Sequence, residues 1–278
     1  MKQLISSSLL AMLALLLVQC READNRSSAK GEDALKAFFN TVNLLADEEG
    51  LKDYLVKNKL DKMAVYEQLR KIDDPLMRAR FIKAVYLTAK NNNQKAAKDE
   101  FWADIRYDIY DFMRLMQKLR ESNSKTFLDI GCGSGQKLYA ALCMGFEKVV
   151  GIEYSEESYG YAIDFLAPFI KNNLVEITKG DALKIEDEFY SKADFLYTYS
   201  PMKDDKLMAQ LFQRVMKNMK NGAIFLEVRM VYVDELRELT GYKVPYERGF
   251  FAIKKIDGEF FFKNPVYDDD WEKLPKLK

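Results

Sequence analysis

The sequence predicts an α/β fold: a doubly wound, mostly parallel sheet that ends in an antiparallel β-hairpin and follows an all-helical N-terminal segment. From about residue 122, short apolar runs alternate with helical stretches, a pattern typical of strands covered by helices on both faces. Two later apolar runs flank Asp257-Gly258, a dipeptide that favours a tight hairpin turn. These observations divide the chain into a helical segment, residues 31–121, and a sheet domain, residues 122–278.

The first twenty residues have the pattern of a targeting segment. Lys2 precedes an apolar run, and the ending Leu17-Val18-Gln19-Cys20 resembles the lipobox of bacterial lipoproteins, except that Gln19 stands where that family has a small residue. The alternative is an uncleaved anchor, although fourteen helical residues reach only about 21 Å against a hydrocarbon core of about 30 Å. We expect membrane association through the lipoprotein-like N-terminus, by lipidated Cys20 or by the apolar segment.

Basic residues follow the apolar run more often than they precede it. If the segment stays as an anchor, this bias favours a domain that faces the cytoplasm, so both topologies remain open. Residues 21–30 are polar and are predicted to form a linker.

The segment over residues 31–121 has three helical signals. Apolar residues recur at helical spacing from Leu35 to Leu45, Asp74-Pro75 is a cap that opens a helix through about Lys90, and a third helix reaches Leu119. The aromatic residues on these faces indicate core packing, and we assign them no chemistry.

Five apolar runs bounded by turns are candidate strands of the sheet. They are Thr126 to Ile130, Lys148 to Ile152, Leu174 to Thr178, Asp194 to Tyr199 and Ala223 to Val228.

The composition of the 278 residues excludes several function classes. Lys plus Arg and Asp plus Glu both number 43, so the overall field gives no reason to expect a nucleic-acid partner. The chain contains no histidine, the commonest metal ligand and general base, and we predict no metal site. The three cysteines fit neither a zinc site nor a disulfide framework, and Cys132 and Cys143 are predicted to pack as small buried residues.

The stretch FLDIGCGSGQ, residues 127–136, is an apolar strand that runs into glycines and a helix, which predicts a site for the polar end of a ligand. Lys-Ser or Lys-Thr does not follow Gly135, so a triphosphate loop is excluded, and the glycine spacing differs from the dinucleotide fingerprint. Asp129 would repel a pyrophosphate but suits a ligand with an ammonium or sulfonium group.

Residues 126–231 resemble the class I S-adenosylmethionine-dependent methyltransferases, which have a Rossmann-like fold. FLDIGCGSGQ is similar to the family's first motif, VVGIEYS to its second and KGDALKI to its third, in the family's order. The resemblance implies that S-adenosylmethionine is the cofactor, that Glu153 binds the ribose hydroxyls, and that Asp181 and the amide of Ala182 bind the adenine. The remaining implied cofactor residues are Asp129, Gly131, Gly133 and Gly135.

The family places substrate-facing residues after its fourth strand, where this chain has Tyr199-Ser200-Pro201. Tyr199 and Ser200 are the candidate catalytic residues, although packing at the sheet edge explains the tyrosine equally well. The segment differs from the motif of amino-methyltransferases that act on nucleic-acid bases. Glu227 and Arg229, at the end of the fifth strand, either line the same pocket or are solvated.

The form Asp-Ile-Gly-x-Gly-x-Gly-Gln, closed by Gln136, is also similar to the Dot-type histone lysine methyltransferases. The predicted function is therefore methyl transfer to an unassigned acceptor, a protein lysine or a small molecule. The alternative is a catalytically inactive S-adenosylmethionine-binding or scaffolding protein at a membrane. A nicotinamide-dependent oxidoreductase is disfavoured by the glycine spacing and by Asp129.

Overall fold

A computed structural model describes residues 62–87, 109–230, 232–244 and 249–277. The predicted targeting segment, the linker and the first helical signal lie outside these ranges. In the ranges described, no helix combines the length and the apolar character that a membrane span requires.

The described chain forms one eight-stranded mixed sheet with the order β3-β2-β1-β4-β5-β6-β7-β8. The first five strands in this order are parallel to their neighbours, and β6, β7 and β8 are antiparallel. The strands are β1 (Thr126–Ile130), β2 (Lys148–Glu153), β3 (Val175–Lys179), β4 (Phe195–Thr198), β5 (Ile224–Met230), β6 (Gly249–Ile256), β7 (Glu259–Lys263) and β8 (Glu272–Lys273). This sheet confirms the predicted α/β architecture, including the hairpin at Asp257-Gly258; the short β8 was not predicted.

Helices cover both faces of the sheet. In the described ranges they are α1 (Lys62–Leu69), α2 (Pro75–Leu87), α3 (Ile109–Leu119), α4 (Gln136–Cys143), α5 (Glu156–Lys171), α6 (Glu188–Lys192), α7 (Asp205–Asn218) and α8 (Val233–Thr240). Apolar side chains of α1 to α5 share one core with Phe127 of β1, whereas those of α6 to α8 share the other with Leu128. The alternation of side chains along β1 produces these two cores.

The predicted cap of α2 is present. Asp74 Oδ1 accepts hydrogen bonds from the backbone N–H groups of Leu76 at 2.8 Å and Met77 at 3.1 Å. These bonds satisfy donors that the first turn of a helix leaves without intrahelical partners, and they explain why the helix begins at Pro75.

Phe112 of α3 packs against the sheet, as predicted for the aromatic residues on the apolar helix faces. Phe112 is fully buried, and its ring meets those of Phe127 and Tyr197 edge to face at 6.1 Å and 5.1 Å. Helix α3 therefore contributes a side chain to the core over the two central strands, and the described helices α1 to α3 share that core with the sheet.

Replacing Phe112 with Ala removes this central ring. We expect the free energy of unfolding, measured by urea denaturation, to fall by about 3–5 kcal/mol, because a cavity replaces well-packed aromatic contacts. Tyr110→Ala is the matched control, since Tyr110 lies on the same helix with 36% of its surface exposed. Equal losses in the two variants would show that α3 does not anchor the core.

Candidate functional site

The loops that follow β1, β2 and β3 meet at the carboxyl edge of the sheet. The Gly131 N–H donates to the carbonyl oxygen of Ile152 at 2.8 Å, and the Gly180 N–H donates to that of Glu153 at 2.9 Å. The Gly133 N–H donates to the Glu153 carboxylate at 2.8 Å. These bonds bring the three sequence motifs to one place.

The glycine loop needs a backbone that other residues adopt only with strain. Gly131 and Gly135 have φ angles of 81° and 85°. A Cβ atom on Gly131 would lie 2.7 Å from Pro201 Cβ, and one on Gly135 would lie 2.7 Å from Leu166 Cδ1. The glycines therefore let the loop approach the segment after β4 on one side and helix α5 on the other.

Glu153 is a nearly buried carboxylate at the end of β2. Its Oε2 accepts the Gly133 N–H, and its Oε1 accepts the Ser155 N–H at 2.7 Å. Two backbone donors fix the carboxylate at the end of β2, beside the glycine loop.

Hydrogen bonds and an ion pair within the protein hold the third motif, Asp181 and Ala182, in place. Asp181 Oδ1 accepts the Leu183 N–H at 2.9 Å, and its Oδ2 lies 3.0 Å from the ammonium of Lys184, whose side chain is 82% exposed. The Ala182 carbonyl accepts hydrogen bonds from the Tyr190 hydroxyl and, at 3.3 Å, from the Arg214 guanidinium. These contacts fix the Asp181-Ala182 backbone beside Glu153.

Asp129 lies within β1 and is 2% exposed. The register of the sheet places it between Gly151 of β2 and Tyr197 of β4. It is therefore beneath the glycine loop that begins two residues later.

Helix α2 contributes a contact that the sequence did not reveal. The Tyr86 hydroxyl and the Ser134 hydroxyl are hydrogen-bonded, and both residues are buried. Ser134 lies between Gly133 and Gly135, so the helical segment, to which we assigned no chemistry, holds the glycine loop directly. A tyrosine at an apolar helical position gives no signal that distinguishes this role from core packing.

The segment after β4 contains the candidate catalytic residues. Tyr197 packs in the aromatic core, and Tyr199 is half-buried against the same core. Ser200 has a φ of 36°, which is uncommon for a residue other than glycine. Thr198 Oγ1 donates to the Ile130 carbonyl at 2.8 Å, and Pro201 lies against Gly131, so the segment adjoins the end of β1.

Glu227 of β5 is fully buried, so the interpretation of this residue as a solvated strand end is wrong. The Ser200 hydroxyl donates to its Oε1 at 2.6 Å. Burial raises the pKa of the Glu227 carboxyl to about 8, while the Ser200 hydrogen bonds favour the ionised form. The side chain of Arg229 lies outside what the structure describes.

The residues at this edge fit S-adenosylmethionine by their chemistry. Acidic side chains on β1, on β2 and after β3 suit the ammonium, hydroxyl and amino groups of the cofactor. The amino end of α4, directly after the glycine loop, suits its carboxylate. The three motifs also follow the cleft that open α/β sheets use for ligands.

A family model for a methyltransferase domain matches residues 121–265, just over half of the chain. Curated protein sequences include no match to this chain.

Solved structures match parts of this chain at low identity. The StiE O-MT domain is 17% identical, with a TM-score of 0.38 over 49% of this chain and 52% of that one, so the match spans about half of its length. An RNA methyltransferase from Salinibacter ruber in complex with S-adenosyl-L-homocysteine is 15% identical, with a TM-score of 0.42 over 63% of this chain and 96% of that one. A S-adenosylmethionine-dependent methyltransferase from Clostridium acetobutylicum is 17% identical, with a TM-score of 0.37 over 63% and 76%.

The buried carboxyl makes the stability depend on pH. Folded Glu227 keeps its proton up to a pH of about 8, whereas the unfolded chain loses it near 4.5. The stabilisation is therefore complete below the unfolded pKa and is lost as the pH rises through the folded pKa. The free energy of unfolding of the wild type should therefore fall as the pH rises, whereas the amide of Glu227→Gln does not titrate. The difference between variant and wild type should shift in favour of the variant by a few kcal/mol from acidic to alkaline pH.

Urea unfolding at a series of pH values measures this difference. Glu176→Gln is the control, because Glu176 is a surface residue of β3 that pairs with Lys148. A constant offset between wild type and Glu227→Gln across the series would mean that Glu227 titrates normally.

Proposed function

The chain belongs to the methyltransferase domain family, and from this premise we propose that it transfers the methyl group of S-adenosylmethionine to a small molecule or a protein lysine. The observation that carries the proposal is the junction of Gly131, Gly133, Glu153 and Gly180, which joins three cofactor motifs by hydrogen bonds at one edge of the sheet.

The residues have distinct parts in holding the cofactor. The amino end of α4, directly after the glycine loop, binds the carboxylate, and Asp129 lies near the charged amino-acid end. Glu153 accepts the ribose hydroxyls, while Asp181 and the Ala182 amide bind the adenine. The ion pair of Asp181 with the exposed Lys184 leaves Asp181 able to bind the adenine, because solvent screens a surface ion pair and makes it weak.

The bound sulfonium supplies a methyl carbon already activated for displacement. What remains for the chain is to place the acceptor in line with that carbon and to keep water away. Tyr199 and Ser200 are in the segment that adjoins Gly131 through Pro201, so we assign them to the acceptor end of the cofactor. The equal numbers of acidic and basic residues favour a small molecule or a lysine side chain over a nucleic acid.

Calorimetric titration of the full chain, purified in detergent, with S-adenosylhomocysteine tests the cofactor site. We expect Glu153→Gln to weaken binding by about tenfold to a hundredfold, because an amide N–H₂ would then face a backbone N–H donor. Glu176→Gln, on the outer strand β3, should bind as the wild type does. Absence of binding to folded wild-type chain would overturn the proposed function.

An assay of methyl transfer distinguishes an enzyme from a binding protein of the same fold. Incubation with tritiated S-adenosylmethionine and a panel of lysine peptides, phenols and small amines should label at least one acceptor class. Tight binding without label in any acceptor, including whole-cell extract, would favour the scaffolding alternative.

We also propose that the domain is attached to a membrane through residues 1–20, by the apolar segment or by lipidated Cys20. Its support is the sequence pattern described above. The wild-type chain should sediment with membranes, and Cys20→Ser should release it if the lipid is the anchor. A wild-type chain found entirely in the soluble fraction would contradict both forms of attachment.

A further inference from the structure

A buried polar cluster joins the segment after β4 to β5 and to the start of α8. Its members are Ser200, Glu227 and Tyr232, all at most 8% exposed. The Ser200 hydroxyl lies 2.6 Å from Glu227 Oε1 and 3.1 Å from the Val228 carbonyl oxygen.

Packing does not explain this cluster. In the described ranges, Glu227 Oε2 and the Tyr232 hydroxyl have no partner in hydrogen-bond geometry, although the two groups lie close enough to interact electrostatically. A buried carboxyl with an unsatisfied oxygen costs stability that an apolar side chain of the same shape would not. The cost points to a role in the chemistry of the adjoining site.

The cluster lies beside the proposed position of the methyl group. Ser200 precedes Pro201, which contacts Gly131 at the end of β1. Its positive φ, which costs on the order of 1 kcal/mol, directs the hydroxyl towards β5, and the hydrogen bond to Glu227 holds it there.

We propose that Ser200 and Glu227 form a proton relay for methyl transfer, and that the acceptor is consequently a hydroxyl or amine group that arrives with a proton to lose. This inference rests on the proposed function. Ser200 would touch the acceptor as a catalytic residue, and Glu227 would act through it as a positioning residue and proton store.

The relay balances in atoms and charge. A lone pair of the acceptor oxygen or nitrogen forms the bond to the methyl carbon, while the carbon–sulfur electron pair moves to sulfur and leaves a neutral thioether. The acceptor proton passes to Ser200 Oγ, and the Ser200 proton passes to Glu227 Oε1. The protonated Glu227 releases that proton to water after the product leaves.

The groups around Glu227 set the pH at which the relay works. The Ser200 hydroxyl donates to Glu227 on one side, the Tyr232 hydroxyl lies near it on a second, and the register of β6 places Phe251 on a third. Asp205, at the start of α7, acts on Tyr232, and burial with Glu235 and Asp204 nearby raises the pKa of the Asp205 carboxyl. Burial keeps the Glu227 carboxyl protonated until the pH approaches about 8, against the hydrogen bonds of Ser200, which favour the ionised form.

The rate of methyl transfer at saturating cofactor, measured from about pH 6 to about pH 9, tests the relay. The wild-type rate should rise with a midpoint near 8. Glu227→Gln should be about a hundredfold slower or more, with no inflection in this range, and Ser200→Ala should behave in the same way. Glu176→Gln is the control and should keep the wild-type profile. An unchanged inflection in Glu227→Gln would overturn the proposal.

Two further measurements separate this proposal from the proposed function. Calorimetry with S-adenosylhomocysteine should give wild-type affinity for Glu227→Gln, since the relay places Glu227 behind Ser200. A wild-type chain that fails to bind would refute the proposed function instead. Carbon-13 NMR of labelled glutamate in the bound protein should show one carboxyl that titrates near 8 and is missing in Glu227→Gln. A Glu227 signal that titrates in the ordinary acidic range would overturn the relay whatever the acceptor. If Glu227→Gln does not fold, Ser200→Ala carries the kinetic test with Glu227 in place.

Discussion

The parallel pairing of β1 with β2 on one side and β4 on the other is the constraint on which the site depends. Because parallel strands end at the same edge, this pairing brings the glycine loop, Glu153 and the Tyr199-Ser200-Pro201 segment together. The pairing is strengthened at that edge by bonds from Gly131 to Ile152 and from Thr198 to Ile130. Backbone geometry thus places the residues to which we assign binding and chemistry at one edge of the sheet.

The two faces of the sheet serve the site differently. On one face, α1 to α5 surround Phe127, and α2 reaches the glycine loop through the bond of Tyr86 with Ser134. On the other face, the start of α8 closes over Glu227. The first face supports the loop to which we assign cofactor binding, and the second encloses the group that we assign to proton transfer.

Glu227 is a residue that lowers the stability of the fold in which it is buried. The carboxyl is buried with one oxygen unsatisfied, and its raised pKa opposes stability as the pH rises. Its hydrogen bond holds Ser200 in an uncommon backbone conformation next to the cleft. A stability cost concentrated at the carboxyl edge of the sheet is consistent with selection for reactivity at that point.

The sequence by itself determined which strands the motifs follow, where the tight turn at Asp257-Gly258 lies, and the cap at Asp74. Each of these depends on residues that are near one another in the chain. The proposed roles of Glu153 and Asp181 also rest on sequence, because the motifs that resemble the family are short local patterns. Only the tertiary structure decided that Glu227 is buried and that Tyr86 holds Ser134, since their partners are 27 and 48 residues away. A charged residue at a strand end and a tyrosine on an apolar helix face have the same local sequence whether or not they meet such partners.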